Sequence, residues 1–182
     1  MDPESKTGTS AGLFRRLAAL LYDLLLAIAI AFVATAAMLP LTHGEAILTA
    51  TQGFLGHLYH AIVLLAVFAY FGWCWTRSGQ TLGMKAWGIR IETADGRRPG
   101  WGQAISRFLL GAAIAWMAVI GTWYLRSTEG ALALAAAVAM IAPALLNFAW
   151  IPIDPAGRSL QDFAGQFRVV RMSWKPTGPS AR

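Results

Sequence analysis

A single carboxylate, Asp23, interrupts a long apolar stretch near the start of the chain. Arg16 precedes it by seven residues, so both side chains lie on the same face of a helix, about 10 Å apart along the axis. An unpaired Asp in a membrane helix costs about 2.5 to 3.5 kcal/mol. We therefore expect Asp23 to face the interior of a helix bundle and to pair with Arg16 or Arg107. Two roles remain open for it: an ion or proton site, or a buried salt bridge that fixes the register of the helices.

A second carboxylate of interest, Asp162, lies near the end of the chain. Ser159 and Asp162 have the spacing of a capping box, which predicts the start of a short amphipathic helix. The alternative is an ion pair between Asp162 and Arg16 or Arg107 at the mouth of the bundle. With the neighbouring Arg158, these residues are expected to form a structural motif.

Asn147 is a polar residue within the last apolar stretch, one helical turn past Pro143. A proline inside a helix releases a backbone carbonyl, here near Ala139. An amide side chain can satisfy such a freed carbonyl, or it can bond to a neighbouring helix. A structural role for Asn147 is therefore expected.

The other chemically active side chains do not form a recognisable catalytic or metal site. His57 and His60 are spaced at i and i+3 and join His43 as candidate metal ligands, but Glu45 is the one further ligand nearby. These candidate ligands are too few to predict a metal or haem site. The single cysteine, Cys74, excludes an internal disulfide and a CxxC motif. No P-loop, HExxH or catalytic-triad pattern is present, so we expect no cofactor and no enzyme.

The elements that carry these residues are membrane helices. Of the 182 residues, 57% are hydrophobic and 13% are charged, whereas about 25% are charged in soluble domains. About 20 apolar residues of helix cross a hydrocarbon core of about 30 Å. Four such stretches, with a single charge among them, are residues 17–39, 58–75, 108–125 and 130–153. The chain is therefore predicted to be an all-α integral membrane protein with four transmembrane helices.

The distribution of basic residues predicts the orientation of these helices. Of the 15 Lys and Arg residues, 14 lie in the N-terminal tail, in the connection between the second and third spans, or in the C-terminal tail. The positive-inside rule places these three segments in the cytoplasm, and we predict a multi-pass protein of the cell inner membrane. The net charge of +6 indicates contacts with lipid headgroups. No nucleic-acid recognition motif accompanies it, so the lipid bilayer, and no nucleic acid, is the expected partner.

The connection between the second and third spans, residues 77–107, is more organised than a linker. Ile89, Ile91 and Thr93 alternate with other residues, and an Asp-Gly pair follows. Alternation of this kind predicts a strand that leads into a turn. We therefore expect a short extended segment or hairpin on the cytoplasmic face.

The two ends of the chain are polar and poor in large apolar side chains. We predict that residues 1–12 and 173–182 are disordered tails, because such segments bury too little apolar surface to order the chain. Residues 13–172 then form one domain, which contains the four spans, the extended segment and the short C-terminal helix.

Four ordered motifs resemble the RDD family of integral membrane proteins, which is named for one arginine and two aspartates. Arg16 matches the arginine at the start of the family's first helix, and Asp23 matches the aspartate within that helix. Arg107 is similar to the family's arginine at the third span, and Asp162 to its second aspartate. The motifs are residues 15–23, 80–91 with the following Asp-Gly, 106–107 and 157–170.

The resemblance implies a function in outline. Members are suspected of transport, and some are linked to cation/proton antiport. One hypothesis is therefore a small oligomeric transporter for cation/proton exchange or an unknown solute, with a second copy and a cation or proton as partners. In it Asp23 alternates between proton and cation, and Arg16 or Arg107 tunes its proton affinity. The alternative is a non-transporting scaffold or assembly partner that docks another protein on its cytoplasmic face. Gln161 and Gln166 stand where the family often has His and Thr, so a proton relay through that His is absent.

Overall fold

The computed structural model describes residues 9–42, 49–127 and 129–172. Within these residues four helices are long and apolar enough to cross a membrane, which confirms the predicted all-α membrane architecture. The elements are, in chain order, α1 (Leu13–Met38), a 3₁₀ turn (Leu39–Thr42), α2 (Thr49–Ser78), α3 (Leu82–Ala86), β1 (Ile89–Thr93), α4 (Trp101–Ser127), α5 (Ala131–Ala149), α6 (Leu160–Ala164) and β2 (Phe167–Arg171).

The ends of the spanning helices follow from residues that disfavour a regular helix. α1 ends at Met38 and passes into the 3₁₀ turn at Leu39, one residue before Pro40, whose ring removes a backbone donor. α2 is broken at Gly53, which has a φ of 48°, and its membrane-spanning part begins at Gly56. α5 ends at Ala149, four residues before the end predicted from composition, because the chain turns ahead of Pro152.

The four spanning helices form an open arc. α1 packs against α2, α2 against α4, and α4 most extensively against α5. In the described part of the chain, α1 and α5 are the two ends of this series and share no extended contact. Most apolar side chains of the spans are exposed in the isolated chain, as expected for helices that contact lipid. The arc leaves a space between α1 and the α4–α5 pair.

A two-stranded antiparallel sheet lies at one end of the arc. β1 pairs with β2 in a register that places Ile91 opposite Val169. The predicted extended segment is confirmed, and Ile89, Ile91 and Thr93 are its buried side as expected. Its partner is the C-terminal strand β2, which the sequence analysis did not predict. We call the end of the molecule formed by β1, β2, α3 and α6 the sheet end.

The residues just before α1 are part of the sheet end. Ala11 is buried and donates its N–H to the Val169 carbonyl at 2.9 Å, and Thr9 accepts from the N–H of Arg171 at 2.8 Å. The predicted disorder of residues 1–12 is therefore wrong for residues 9–12, because these backbone groups find partners along β2. The remaining tail predictions, for residues 1–8 and 173–182, lie outside the described residues.

Candidate functional site

Three of the predicted site residues meet at the sheet end. The Asp162 side chain is fully buried, and its Oδ2 accepts from Nη1 of Arg16 at 2.6 Å. Its Oδ1 accepts from Nη1 of Arg107. Both arginines are only 8% exposed. We call these three residues the Arg–Asp–Arg cluster, which joins α6 to the first two turns of α1 and of α4.

Asp162 also closes the predicted capping box. Ser159 Oγ accepts from the N–H of Asp162 at 3.2 Å, and the N–H of Ser159 donates to Asp162 Oδ2 at 3.3 Å. The two alternatives for Asp162, a helix cap and an ion pair, therefore occur together. Burial opposes ionisation of the carboxyl, but the charges of Arg107 and Arg16 and their hydrogen bonds outweigh it and lower the pKa of Asp162.

Arg16 also binds the backbone on both sides of the cluster. Its Nε donates to the Ala11 carbonyl at 2.9 Å, and its Nη2 donates to the Gly157 carbonyl at 2.5 Å. One guanidinium thus holds the segment before α1, the loop before α6 and Asp162 together. A planar fork of five donors suits such a branched site, and Lys does not reproduce it.

Arg107 lies between aromatic rings. Its guanidinium carbon is 5.5 Å from the centroid of the Trp75 ring and 5.4 Å from that of Phe167. These distances are within the range of cation–π attraction. The Nε–H group of Arg107 is buried and has no acceptor among the described residues.

Asp23 does not pair with either arginine, and that prediction is wrong. Its Oδ2 accepts from Oγ1 of Thr81 at 2.5 Å, and its Oδ1 accepts from the N–H of Gly83 at 3.0 Å. The side chain is 4% exposed. The physical reason is the distance along α1, because Asp23 lies two turns beyond Arg16 while Asp162 lies level with that arginine.

The partners of Asp23 belong to α3, an element that the sequence analysis did not predict. Thr81 caps this short helix, since its Oγ1 accepts from the N–H of Met84 at 3.1 Å. Gly83 allows the close approach to α1, because a Cβ there would lie 2.3 Å from the Ala19 carbonyl oxygen. A Thr followed by a short helix-forming run is the local signal that points to such a cap.

Asn147 bonds to a neighbouring element, the second of its two expected uses. It is buried, and its Oδ1 accepts from the N–H of Gln161 in the first turn of α6 at 3.0 Å. α5 and α6 are thereby joined directly beside Asp162.

Arg158 lies outside the Arg–Asp–Arg cluster. Its Nε and Nη2 both donate to Asp154, at 3.0 Å each, and its guanidinium lies 4.8 Å from the centroid of the Phe163 ring. These hydrogen bonds lower the pKa of Asp154 to about 2. Arg158 and Asp154 therefore form a local pair in the loop before α6.

A cavity of about 400 Å³ lies in the space between α1 and the α4–α5 pair. Its polar lining lies toward the sheet end, and its remaining walls are mostly apolar. The polar residues are Arg16, Asp23, Arg107, Asn147, Ser159, Gln161 and Asp162. The cavity therefore brings Asp23 and the Arg–Asp–Arg cluster to one space bounded by membrane helices.

The described residues contain no group of three or more His, Cys, Asp or Glu side chains arranged to hold a metal ion. His57 and His60 lie in α2, far along the chain from the cluster residues. The third histidine of the sequence, His43, lies outside the described residues.

Comparison with known proteins agrees with the motifs. The model of the RDD family matches residues 10–166 of the 182-residue chain, a range that contains Asp23 and all three residues of the Arg–Asp–Arg cluster. No curated protein and no solved structure matches the chain. The family match covers most of the sequence and all four spanning helices, so the chain belongs to the RDD family, a family of membrane proteins.

Proposed function

We propose that the protein is a small inner-membrane transporter in which Asp23 takes up and releases a proton or a cation. One observation carries the proposal. Asp23 is a nearly buried carboxylate on the wall of a cavity between spanning helices, and it has no cationic partner among the described residues. A charge in that position needs a counter-charge or a proton.

The hydrogen bonds of Asp23 leave room for a ligand. An ionised carboxylate has about four acceptor positions, and Thr81 and Gly83 use two of them. Both donors are neutral, so they orient the carboxylate without balancing its charge. A proton or a metal cation entering from the cavity supplies both the missing charge and the missing contact.

Asp162 differs from Asp23 in this respect. It is the fully buried partner of two arginines and of the Ser159 cap, so its charge is already balanced. We assign the Arg–Asp–Arg cluster, with Asn147, to the framework that holds α1, α4, α5 and α6 around the cavity. Arg16 and Arg107 then affect Asp23 only indirectly, because they hold the helices that position it.

Orientation and assembly belong to the same proposal. The excess of basic residues supports a cytoplasmic position for the sheet end and for both termini. A homo-oligomer is consistent with the open arc of helices, because a second copy covers the space between α1 and α5.

The proposed transported species is a proton exchanged against a cation, or a solute whose movement is coupled to either.

The test is ion flux in proteoliposomes that contain a pH-sensitive dye, with sodium or potassium gradients imposed. Asp23→Asn keeps an acceptor for Gly83 and an amide for Thr81, but it has no titratable group. Asp154→Asn is the matched control, because it makes the same chemical change at a carboxylate that does not line the cavity.

Cation-dependent proton movement in wild type and in Asp154→Asn, but not in Asp23→Asn, is the expected result. Equal flux in a folded Asp23→Asn protein contradicts the role of Asp23. Absence of flux in wild type across several cations and pH values contradicts cation/proton exchange.

A second candidate, the assembly partner, is favoured by an apolar side chain displayed at the sheet end. Phe163 is 57% exposed on α6, next to the Arg158–Asp154 pair. If no flux is found, a photo-cross-linker at Phe163 tests this candidate, with one at Phe32, exposed on the spanning part of α1, as the membrane-facing control. Capture of one defined protein at Phe163 alone supports docking at the sheet end.

A further inference from the structure

Asp23 lies between the cavity and the short helix α3. On one side its carboxylate belongs to the cavity wall. On the other side it accepts hydrogen bonds from Thr81 and Gly83, at the start of α3. A Cβ at position 83 would lie only 2.8 Å from Asp23 Oδ1. The backbone of α3 is therefore packed directly on the carboxylate.

The opposite side of α3 faces away from the bundle. Gly83 is buried against α1, whereas Lys85 and Ala86 are exposed. A charged side chain is costly in hydrocarbon, so the exposed Lys85 indicates water or lipid headgroups on the outer side of α3. A single helix of five residues therefore separates Asp23 from the water at the sheet end.

The segment that contains α3 is anchored at a glycine on each side. The Gly79 carbonyl accepts from the N–H of Ile91 at 2.8 Å, and the Gly88 carbonyl accepts from the N–H of Met172 at 2.9 Å. Gly79 has a φ of 71° and Gly88 a φ of 61°, a region of backbone conformation that glycine adopts readily. Hinges are commonly a few residues at the ends of an element. Residues 80–87 are thus placed to turn as a unit while the sheet stays fixed.

Hydrogen bonds from the first turn of α3 hold it on the spanning helices. Two of them end on Asp23, and a third runs from the N–H of Leu82 to Oη of Tyr70 in α2 at 3.0 Å. Thr81 Oγ1 also accepts from the N–H of Met84, which caps α3. One hydroxyl therefore connects the start of α3 to the carboxylate that α3 covers.

We propose that α3 is a gate that opens and closes a route between Asp23 and the water at the sheet end, by turning about Gly79 and Gly88. In the closed state, which the structure describes, Asp23 faces the cavity. In the open state it also meets water at the sheet end. The gate rests on the proposed role of Asp23, and it supplies the second route that alternating access to a membrane site requires.

The first test measures how fast a water-soluble carbodiimide, with glycinamide as the nucleophile, modifies Asp23 in the detergent-purified full chain. Asp95, whose side chain is 49% exposed, is the internal reference in mass spectrometry. We expect slow labelling of Asp23 in wild type. Thr81→Val removes the O–H donor and keeps the side-chain shape, so it is expected to speed labelling about ten- to hundredfold. Thr81→Ser keeps the hydroxyl and is expected to match wild type.

The second test locks the gate through the native Cys74 of α2. Lys85 lies within electrostatic range of this thiol, so a flexible bis-methanethiosulfonate reagent is expected to join Cys74 to Lys85→Cys and to fix α3 on α2. The cross-link is expected to stop both the labelling of Asp23 and the ion flux, and reduction is expected to restore both. Lys85→Cys in a Cys74→Ser background, treated with the same reagent, is the matched control and is expected to keep both.

The gate is overturned if Asp23 is not labelled at all in wild type, if folded Thr81→Val is labelled no faster than Thr81→Ser, or if labelling or flux survives the cross-link. The cross-link test does not depend on the folding of Thr81→Val. If wild type carries no flux, the proposed transport fails, and the labelling of Asp23 with and without the cross-link still decides whether α3 opens.

Discussion

Removing the charge of Asp162 is the sharpest test of how the sheet end is held together. Asp162→Asn keeps a side-chain oxygen for the Ser159 N–H, so the cap survives while the charge is lost. Arg16 and Arg107 then lie close together in a buried site with no anion between them. We expect this substitution to destabilise the fold more than any other single change in the cluster.

The expected magnitude follows from the two ion pairs. Each charge-assisted hydrogen bond contributes about 1.5 to 3 kcal/mol, and leaving a buried charge unpaired costs about 3 to 5 kcal/mol. With both arginines 8% exposed and Asp162 fully buried, solvent screens the loss very little. Asp162→Asn is therefore expected to lower the free energy of unfolding by about 4 kcal/mol. Arg107→Gln is expected to cost less, because Asp162 keeps Arg16 as its partner.

The assay is reversible unfolding in detergent micelles, followed by tryptophan fluorescence, for wild type and each variant. Ser159→Ala is expected to cost about 1 kcal/mol, as for the loss of a helix cap. Asp154→Asn serves as the control and is expected to cost less than Asp162→Asn, because Asp154 has one arginine partner and that arginine is 27% exposed.

The pH dependence adds an internal check. Because the pKa of Asp162 is lowered in the fold, its contribution is present above the unfolded carboxyl pKa of about 4. It is lost only as the pH falls through the still lower folded value. The difference between wild type and Asp162→Asn is thus expected to stay constant from pH 7 to pH 5. If Asp162→Asn is within about 1 kcal/mol of wild type, or is less destabilised than Arg107→Gln, the two ion pairs of Asp162 do not hold the sheet end together.

Two further predictions concern α3 and the orientation in the membrane. Gly83→Ala is expected to lower the free energy of unfolding by about 1 to 3 kcal/mol through overpacking, because its Cβ would lie 2.3 Å from the Ala19 carbonyl oxygen. Gly102→Ala is the control, since a Cβ there has nothing within 4 Å. Equal stability of the two variants contradicts the close approach of α3 to α1. In a Cys74→Ser background, an impermeant thiol reagent added to intact cells is expected to label Ser127→Cys and not Asp95→Cys, and labelling at Asp95 reverses the proposed topology.

Local patterns in the sequence are sufficient for the parts of the fold that depend on neighbouring residues. The spans follow from long apolar runs with a single charge among them. The cap of α6 follows from the spacing of Ser159 and Asp162. The buried side of β1 follows from alternation. Each of these features is decided within one helix or strand, so composition and spacing predict it.

The partners of the charged residues are decided by contacts between distant parts of the chain. The sequence around Asp23 carries no local sign that α3 donates to it, and the motif around Thr81 is indicated only by the family resemblance. From the sequence, Arg16 is a candidate partner of Asp23 or of Asp162, and no local pattern chooses between the two aspartates. The choice of Asp162 depends on where α6 is placed, and α6 is placed by Asn147 and β2.

The sheet end also sets an order of events during synthesis. Asp162 is made 146 residues after Arg16, which at about 5 to 20 residues per second is an interval of roughly 7 to 30 s. For that time α1 is present in the bilayer while its arginine lacks the carboxylate that it binds in the finished protein. The backbone of residues 9–12 likewise waits for β2. The residues before α1 are therefore joined to β2 only after all four spanning helices have been made, and α1 is secured by segments that follow the last of these helices.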